Sequence, residues 1–514
     1  FGVKARSGWR ISLQNRKAPK TWFVAVVFSW GLLTSQALLG SAAEAFSLVI
    51  NNGRVINPET GLDAIRHVGI RQGRVAVISP SPLDGAQTID ATGLVVAPGF
   101  IDIHSHTLTP LGQQRNVLDG VTTQLEMEAG ALPSKAAGDA VADRPIINYG
   151  ASVGHFAARI QVIEGRDLPY FFYRGEQGSM ASPAFTELAT ATQIGAIRRK
   201  LEEGLDAGGL GIGLLLDYMR DAVSQDELAM IFSVAGGRKV PVFVHVRRNL
   251  PGDSSGLDEV LGLAEQYDAP VFICHITHNA MNGIETWLEK IDAARARGVT
   301  VTTETLSYLA GGTSISADVF RKRDWRSIFA IDYGDVQWVA TGEWLTEKTW
   351  EHYARVEPTG MVNHHYVQEA WLHSALRWPD MMVSTDALPA FDPRQMTNPN
   401  ISGSFSRLLG RYVREQGILE LSDALSRISL KPAQWLETFA PRFSRKGRIE
   451  VGADADLVLF DPKVVAAGAD YGSPWESPMG INWVIVGGVI TVQGGAVVPS
   501  AAAGRYLDTT PLAE

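Results

Sequence analysis

From Phe46 onward the chain alternates short apolar runs with turn residues. SLVINNGRVI, HVGIRQGRVAVIS and TIDATGLVVAPG read as strands, with Gly73 at a tight turn. The far end mirrors this pattern in GRIEVGADADLVLFD and INWVIVGGVITVQGGAVV, where β-branched runs are again divided by glycine. Two terminal strand sets flanking a long middle predict one small β-sandwich domain assembled from residues 46–97 and 439–514. The middle, residues 98–438, is then an insertion between its two parts.

Eight apolar runs bounded by turn residues divide that middle: GFIDIHSH, TTQLEM, IINYGASVG, GLGIGLLL, VPVFVHVR, APVFICHIT, VTVTTETLS and MMVSTDA. Between several of them, as in ELATATQIGAIRRKLEEGLDAG and GLDEVLGLAEQYD, apolar positions recur at three and four, the helical period. Strands buried on both faces and alternating with helices predict a parallel sheet. Eight such units favour an α/β architecture of the (β/α)8 barrel type over an open doubly wound sheet. The sequence has no glycine-rich dinucleotide fingerprint after a first strand and no P-loop. Residues 310–379, between the seventh and eighth strands, are long for a connection and rich in Trp, Tyr and His, so they are expected to cover a site.

Residues 1–45 are a separate physical object. Lys4, Arg6, Arg10, Arg16, Lys17 and Lys20 face Glu44 alone, whereas the 514-residue chain as a whole carries a net charge of -9. After Lys20 comes the nearly uncharged TWFVAVVFSWGLLTSQALLG and then the small residues around Ala43 and Ala45. A basic start, an apolar run and a small-residue site describe a secretory signal peptide, cleaved near Ala45. A retained membrane anchor is the alternative. Either way the folded part is expected in an exported compartment, the periplasm or outside the cell, with the membrane touched only through an uncleaved leader. The acidic balance argues against nucleic acid as a partner. With Cys274 as the one cysteine, an internal disulfide framework and a cysteine-rich zinc module are excluded.

Histidines mark the strand ends. His104 and His106 close the first barrel strand, His245 the fifth and His275 the sixth. Residues two apart on a strand point the same way, so His104 and His106 present two imidazoles to one locus. The C-terminal strand ends of a barrel converge on one mouth. Four histidines and Asp386, at the end of the eighth strand, therefore describe a divalent-metal site. Zinc suits mixed nitrogen and oxygen ligands, as one ion or two, with manganese as the alternative. His278 reads as an active-site or loop residue, and His364 and His365 as solvated side chains. Cys274, next to His275 on a strand, is expected to point into the helix layer as a small buried hydrophobe.

VVAPGFIDIHSH, followed by LDGVTT, VFVHVR, VFICHIT and MMVSTDA, resembles the amidohydrolase superfamily. STDALPAFDPRQ, GSFSRLLGRYVREQGILELSDALSRISLKPAQWLE, LAGGT and SVGHFAAR resemble its D-aminoacylase (N-acyl-D-amino-acid deacylase) branch, over about Ser47 to Val498. The resemblance implies that His104, His106, His245 and His275 are metal ligands and that Asp386 transfers protons. Three positions depart from the branch. Ala129 falls where a ligating cysteine is usual. Glu126 and Glu128 share a strand face, and Glu128, nearer that position, is the preferred carboxylate substitute. Thr277 replaces a lysine, and Asn400 falls where an arginine holds the substrate carboxylate. Arg394 or Arg247 is expected to take over that task, unless the substrate lacks the carboxylate. His155 and Tyr308 read as mouth residues that steady an oxyanion or orient the acyl group, or else as packing residues.

The expected activity is metal-dependent hydrolysis of a linear amide in an N-acyl amino acid or a related small acylated amine, with Asp386 as general base and acid. A cyclic-amide hydrolase resembling dihydroorotases or hydantoinases is the alternative, weakened because no lysine occupies a strand end. An exported metal-binding protein with a degenerate site is the alternative of a different class.

Overall fold

The computed structural model describes residues 45–172 and 179–511. Apart from Ala45, the leader read over residues 1–45 lies outside the described residues. Among the described residues, no helix is long and apolar enough to cross a membrane.

Eight parallel strands form the centre: β1 (Phe100–Asp102), β2 (Val121–Ala131), β3 (Asn148–Gly154), β4 (Ile212–Leu215), β5 (Val242–His245), β6 (Val271–Ile273), β7 (Val301–Leu306) and β8 (Met382–Ser384). Each pairs with its sequence neighbour, from β1 to β8. The ring closes just past the last residues of β1 and β8. There Asp386 N donates to His104 O at 2.8 Å and His106 N donates to Ala387 O at 3.0 Å. Closure therefore runs through the residues that carry the chemistry.

The continuous apolar runs follow from burial on both faces of each strand. Val242, Val244, Val271 and Ile273 pack outward in one core with helix residues such as Leu257, Val260, Trp287 and Ile291. Phe243 and Phe272 pack with Ile101, Leu125 and Met127 in another. The two helical patterns in the sequence become Ala191–Asp206 and Ser255–Tyr267. The first starts at Ala191 because Thr190 caps it, accepting from Gln193 N while the Gln193 side chain accepts from Thr190 N.

The two chain ends meet in one nine-stranded sheet. Val95–Pro98, which leads into β1, pairs antiparallel with Leu457–Phe460, Pro98 lying opposite Leu457 and Val95 opposite Phe460. Alternation splits the pair. Val95, Ala97, Val458 and Phe460 pack toward barrel residues such as Phe100 and Phe405. Val96, Leu457 and Leu459 cover the sheet's own core.

A third, antiparallel sheet belongs to the long connection between β7 and β8. It comprises Gly311–Ser314, Val336–Trp338, Glu343–Trp344 and Met361–His364. Gly311, Thr313, Met361 and His364 of this sheet, together with Tyr366, line a cavity over the barrel mouth. The cavity holds about 690 Å³ of space not filled by atoms, part of it open to solvent.

Candidate active site and metal centre

His104, His106, Glu128, His245, His275 and Asp386 converge at the C-terminal mouth of the barrel. The His104 and His106 Nε2 atoms face each other at 3.3 Å. Glu128 stands at the centre: its Oε1 lies 2.8 Å from His275 Nε2 and 3.2 Å from His245 Nδ1. Its Oε2 lies 3.4 Å from His104 Nε2 and 3.5 Å from His106 Nε2. Asp386 Oδ1 approaches His106 Nε2 at 3.3 Å and His104 Nε2 at 3.5 Å. All are buried except Asp386, which is partly open to the cavity.

A local irregularity aims Glu128. Against β3, Glu126 stands opposite Ala151 but the next paired residue, Ala131, is opposite Val153, so β2 bulges between them. Gly130 within the bulge has φ +69, and a Cβ there would stand 2.7 Å from the Ser152 carbonyl oxygen. On β4, Gly213 leaves room for the bulge, since its own Cβ would lie 2.5 Å from Glu128 O. Glu126, two residues back, is set behind the centre. Both its oxygens lie 3.0 Å from His106 Nδ1, and Tyr170 OH donates to Oε2 at 2.7 Å. Ala129 packs in the helix-side core.

The second layer settles which histidine atoms face inward. Glu304, at the end of β7, accepts at Oε1 from His104 Nδ1 at 3.0 Å and from His275 N at 2.5 Å, while Ser384 Oγ donates to its Oε2 at 2.6 Å. With the Nδ1 protons of His104 and His106 held by Glu304 and Glu126, both Nε2 atoms direct lone pairs at one point. Two lone pairs 3.3 Å apart call for a cation between them. Burial opposes positive charge on both rings, yet Asp386 and Glu128 at His104, and Glu126 and Asp386 at His106, outweigh it and raise their pKa, so that a proton and a metal ion compete for the same Nε2 atoms. Charge at this point is favoured, and the donor set of imidazole nitrogens and carboxylate oxygens fits zinc or a similar divalent ion. His104, His106 and Glu128 form one potential ligand group and Glu128, His245 and His275 another, so Glu128 is shared.

Several expectations are corrected by the geometry. His155, at the start of the helix after β3, is fully buried with Nε2 2.8 Å from Glu227 Oε1 in a pair shared with Arg159, and it does not line the cavity. Tyr308 donates to Ala469 O at 2.7 Å under the Arg407 guanidinium, also away from the cavity. Arg394 is an exposed partner of Asp392. Arg247 turns outward to Glu259 Oε1 at 2.5 Å and Val223 O at 2.7 Å. None of the four reaches the site. His364 is a buried wall of the cavity, not a solvated side chain, and His365 is partly buried. Cys274 packs with the inward-facing Phe243 and Phe272, and Sγ lies within ligand range of His104 and Glu304. Strand alternation fails there because β6 ends at Ile273 and His275 adopts φ +32, which turns two successive side chains inward.

The cavity walls also hold residues that the sequence pattern did not mark, namely Asp217, Tyr218, Arg248 and Tyr366. His278 lines it as well, its pKa pushed down to about 3 by burial and by His275. Thr277 instead bonds Thr305 at 2.6 Å, and Asn400 Nδ2 donates to Thr385 O at 2.7 Å, bracing the residue before Asp386.

An eight-stranded parallel barrel with imidazoles and carboxylates gathered at its C-terminal mouth defines a metal-dependent hydrolase. The Amidohydrolase family model matches residues 87–492, and the chain belongs to that family. It is 29% identical to N-acyl-D-glutamate deacylase of Alcaligenes xylosoxydans xylosoxydans over 510 residues, covering 90% of this chain and 97% of that protein. It is 28% identical to D-aminoacylase of the same organism over 500 residues, covering 91% and 99%. The crystal structure of N-acyl-D-glutamate deacylase from Bordetella bronchiseptica, complexed with zinc and a phosphonate mimic of the tetrahedral intermediate, superposes with a TM-score of 0.73. That match is 25% identical and covers 90% of this chain and 100% of that one.

Proposed function

We propose that this protein removes the acyl group from N-acyl-D-amino acids or related small acylated amines by metal-dependent hydrolysis of a linear amide. The observation that carries the reading is the central carboxylate: Glu128 lies within hydrogen-bonding reach of His245 and His275 and close to His104 and His106, with Asp386 facing the same pair. The deacylase relatives, matched over nearly their whole length, support it.

His104, His106, His245, His275 and Glu128 would hold the metal, which supplies Lewis acidity: it lowers the pKa of water to about 7 and polarises the amide carbonyl. Asp386 takes the proton of the attacking water on its carboxylate and returns it to the departing nitrogen, so that the amine leaves neutral. Glu304 and Glu126 hold the Nδ1 protons of His104 and His106 and keep the two rings turned inward. The sheet over the mouth keeps bulk water from the reacting carbonyl. Among the described residues no lysine lines this cavity, which removes the main support for a cyclic-amide hydrolase.

The test is turnover of N-acyl-D- and N-acyl-L-amino acids, dipeptides and cyclic imides by purified protein supplied with zinc or manganese. Release of free amino acid from the acylated D-series is expected, and turnover of cyclic imides alone would overturn the reading. Asp386→Asn should lower kcat by about 10²–10⁴-fold while retaining metal. Undiminished activity would remove Asp386 from the mechanism. We further propose that the enzyme is exported, on the strength of the basic, then apolar leader before Ala45.

A further inference from the structure

The cavity holds a buried guanidinium that forms no ion pair among the described residues, although Asp217 and Glu128 act on its charge from a distance. Arg248, three residues past His245, is 6% exposed and lines the cavity. Its Nε has no hydrogen-bond partner, Nη1 reaches only Tyr366 OH at 3.4 Å, and Nη2 lies 3.1 Å from His245 Nε2. The aromatic faces of Phe329 and Tyr366 lie 5.2 and 6.0 Å from the guanidinium carbon. Neighbouring arginines are paired, Arg247 with Glu259 and Arg323 with Asp217, whereas no carboxylate of the described residues forms an ion pair with Arg248.

The backbone around Arg248 is fixed in place. Its N–H donates to Asp217 Oδ1 at 2.8 Å, and its carbonyl accepts from Arg220 Nη1 at 2.9 Å and Arg323 Nη2 at 2.5 Å. Beside it, His278 and His364 are buried and line the same cavity, their rings making only loose approaches to the backbone of Ala310 and Gly311. A neutral imidazole carries one N–H, so this part of the wall offers a planar cationic fork and two further donors, while the carboxylates of the cavity are engaged elsewhere, Asp217 with Arg248 N and Arg323, and Glu128 and Asp386 with the histidines of the metal centre. Burying a guanidinium without a counter-charge is costly, and an anionic group on the ligand removes that cost.

We propose that Arg248, assisted by His278 and His364, anchors the carboxylate of the substrate. This rests on the deacylase reading and deepens it. Asn400, at the position where the related branch carries its carboxylate-holding arginine, is turned away to Thr385, and Arg248 performs that task from the opposite part of the sequence, after β5.

The experiment pairs N-acetyl-D-leucine with N-acetyl-D-leucinamide, which lacks the charge, using the zinc-supplied enzyme and its Arg248→Met and Arg248→Lys variants. For the carboxylate, Arg248→Met should raise KM at least about 30-fold, with Arg248→Lys in between. For the carboxamide, kcat/KM should stay within about threefold of the parent. Equal losses on both probes would assign Arg248 to positioning His245 and overturn the proposal, as would no loss on either. Calorimetric binding in an Asp386→Asn background gives a readout independent of turnover. There, Arg248→Met should weaken the carboxylate probe by the same factor and leave the carboxamide unchanged, and failure of the carboxylate to bind the Asp386→Asn protein would also overturn the proposal. Arg248-dependent binding of the carboxylate by an enzyme that hydrolyses neither probe would uphold the anchor and refute the deacylase reading instead.

Discussion

At the scale of single residues, the site is ordered by who holds each imidazole proton. Glu304 and Glu126 take the Nδ1 protons of His104 and His106, leaving both Nε2 atoms to face a cation. Glu304→Gln weakens that orientation without removing a direct donor, and should lower metal affinity by about 10- to 100-fold in chelator competition. Glu128→Gln, at the shared centre, should lose more than Glu304→Gln in the same titration. The reverse order would place the metal elsewhere. The residues missed by sequence reading share a cause. Period-two reasoning holds only inside a strand, and β5 ends at His245, so whether Arg247 or Arg248 turns inward is decided by loop contacts to Glu259 and Asp217 that no spacing encodes. The same limit explains Cys274, beside a histidine with positive φ.

At the scale of elements, two devices control the site. The first is the β2 bulge. Gly130→Ala places a side chain at φ +69, at a cost of about 1–2 kcal/mol for the conformation alone, and drives Cβ toward the Ser152 carbonyl. A lower denaturation midpoint together with reduced metal content is expected. A variant that lost stability but held metal normally would show that the bulge does not aim Glu128. The second device is the sheet over the mouth, with His364 held well below its ordinary pKa by burial and by Arg248, and His365 lowered to about 4 by burial. Because the folded values lie below the unfolded value of about 6.5, the unfolded state binds more protons at mild acidity. The stability from these two groups is complete above about pH 6.5 and is lost as pH falls toward about 4. Hydrogen exchange in residues 336–366, corrected for intrinsic rates, should therefore lose protection between pH 7 and pH 5, and unchanged protection would refute this. Barrel strands were legible because burial on both faces leaves a near-continuous apolar run. The covering sheet was not: Val336–Trp338 and Glu343–Trp344 are short, and Trp, Tyr and His serve equally in packing, as in Trp325 stacked on Trp350 at 5.0 Å, and in lining a cavity.

At the scale of the whole molecule, the sequence pattern and the structure agree on eight strands in order, on helices between them and on a sheet drawn from both ends of the chain. The proposed export makes one prediction here: mature protein recovered from the periplasm or medium should begin near Ala45 by mass, a product retaining residues 1–44 in the membrane fraction would favour an anchor, and full-length protein in the cytosol would refute export. The pairing of Val95–Pro98 with Leu457–Phe460 also bears on how the protein is made. The first strand of the barrel follows directly on one half of this clasp, and the other half leaves the ribosome only when synthesis is nearly finished. Until Met382–Ser384 has been made β1 has no β8 beside it and His104 and Asp386 cannot meet, and until Leu457–Phe460 follows it has no clasp behind it. The growing chain thus carries an open, unfinished barrel for most of translation, and capture of the metal waits until both ends of the ring exist.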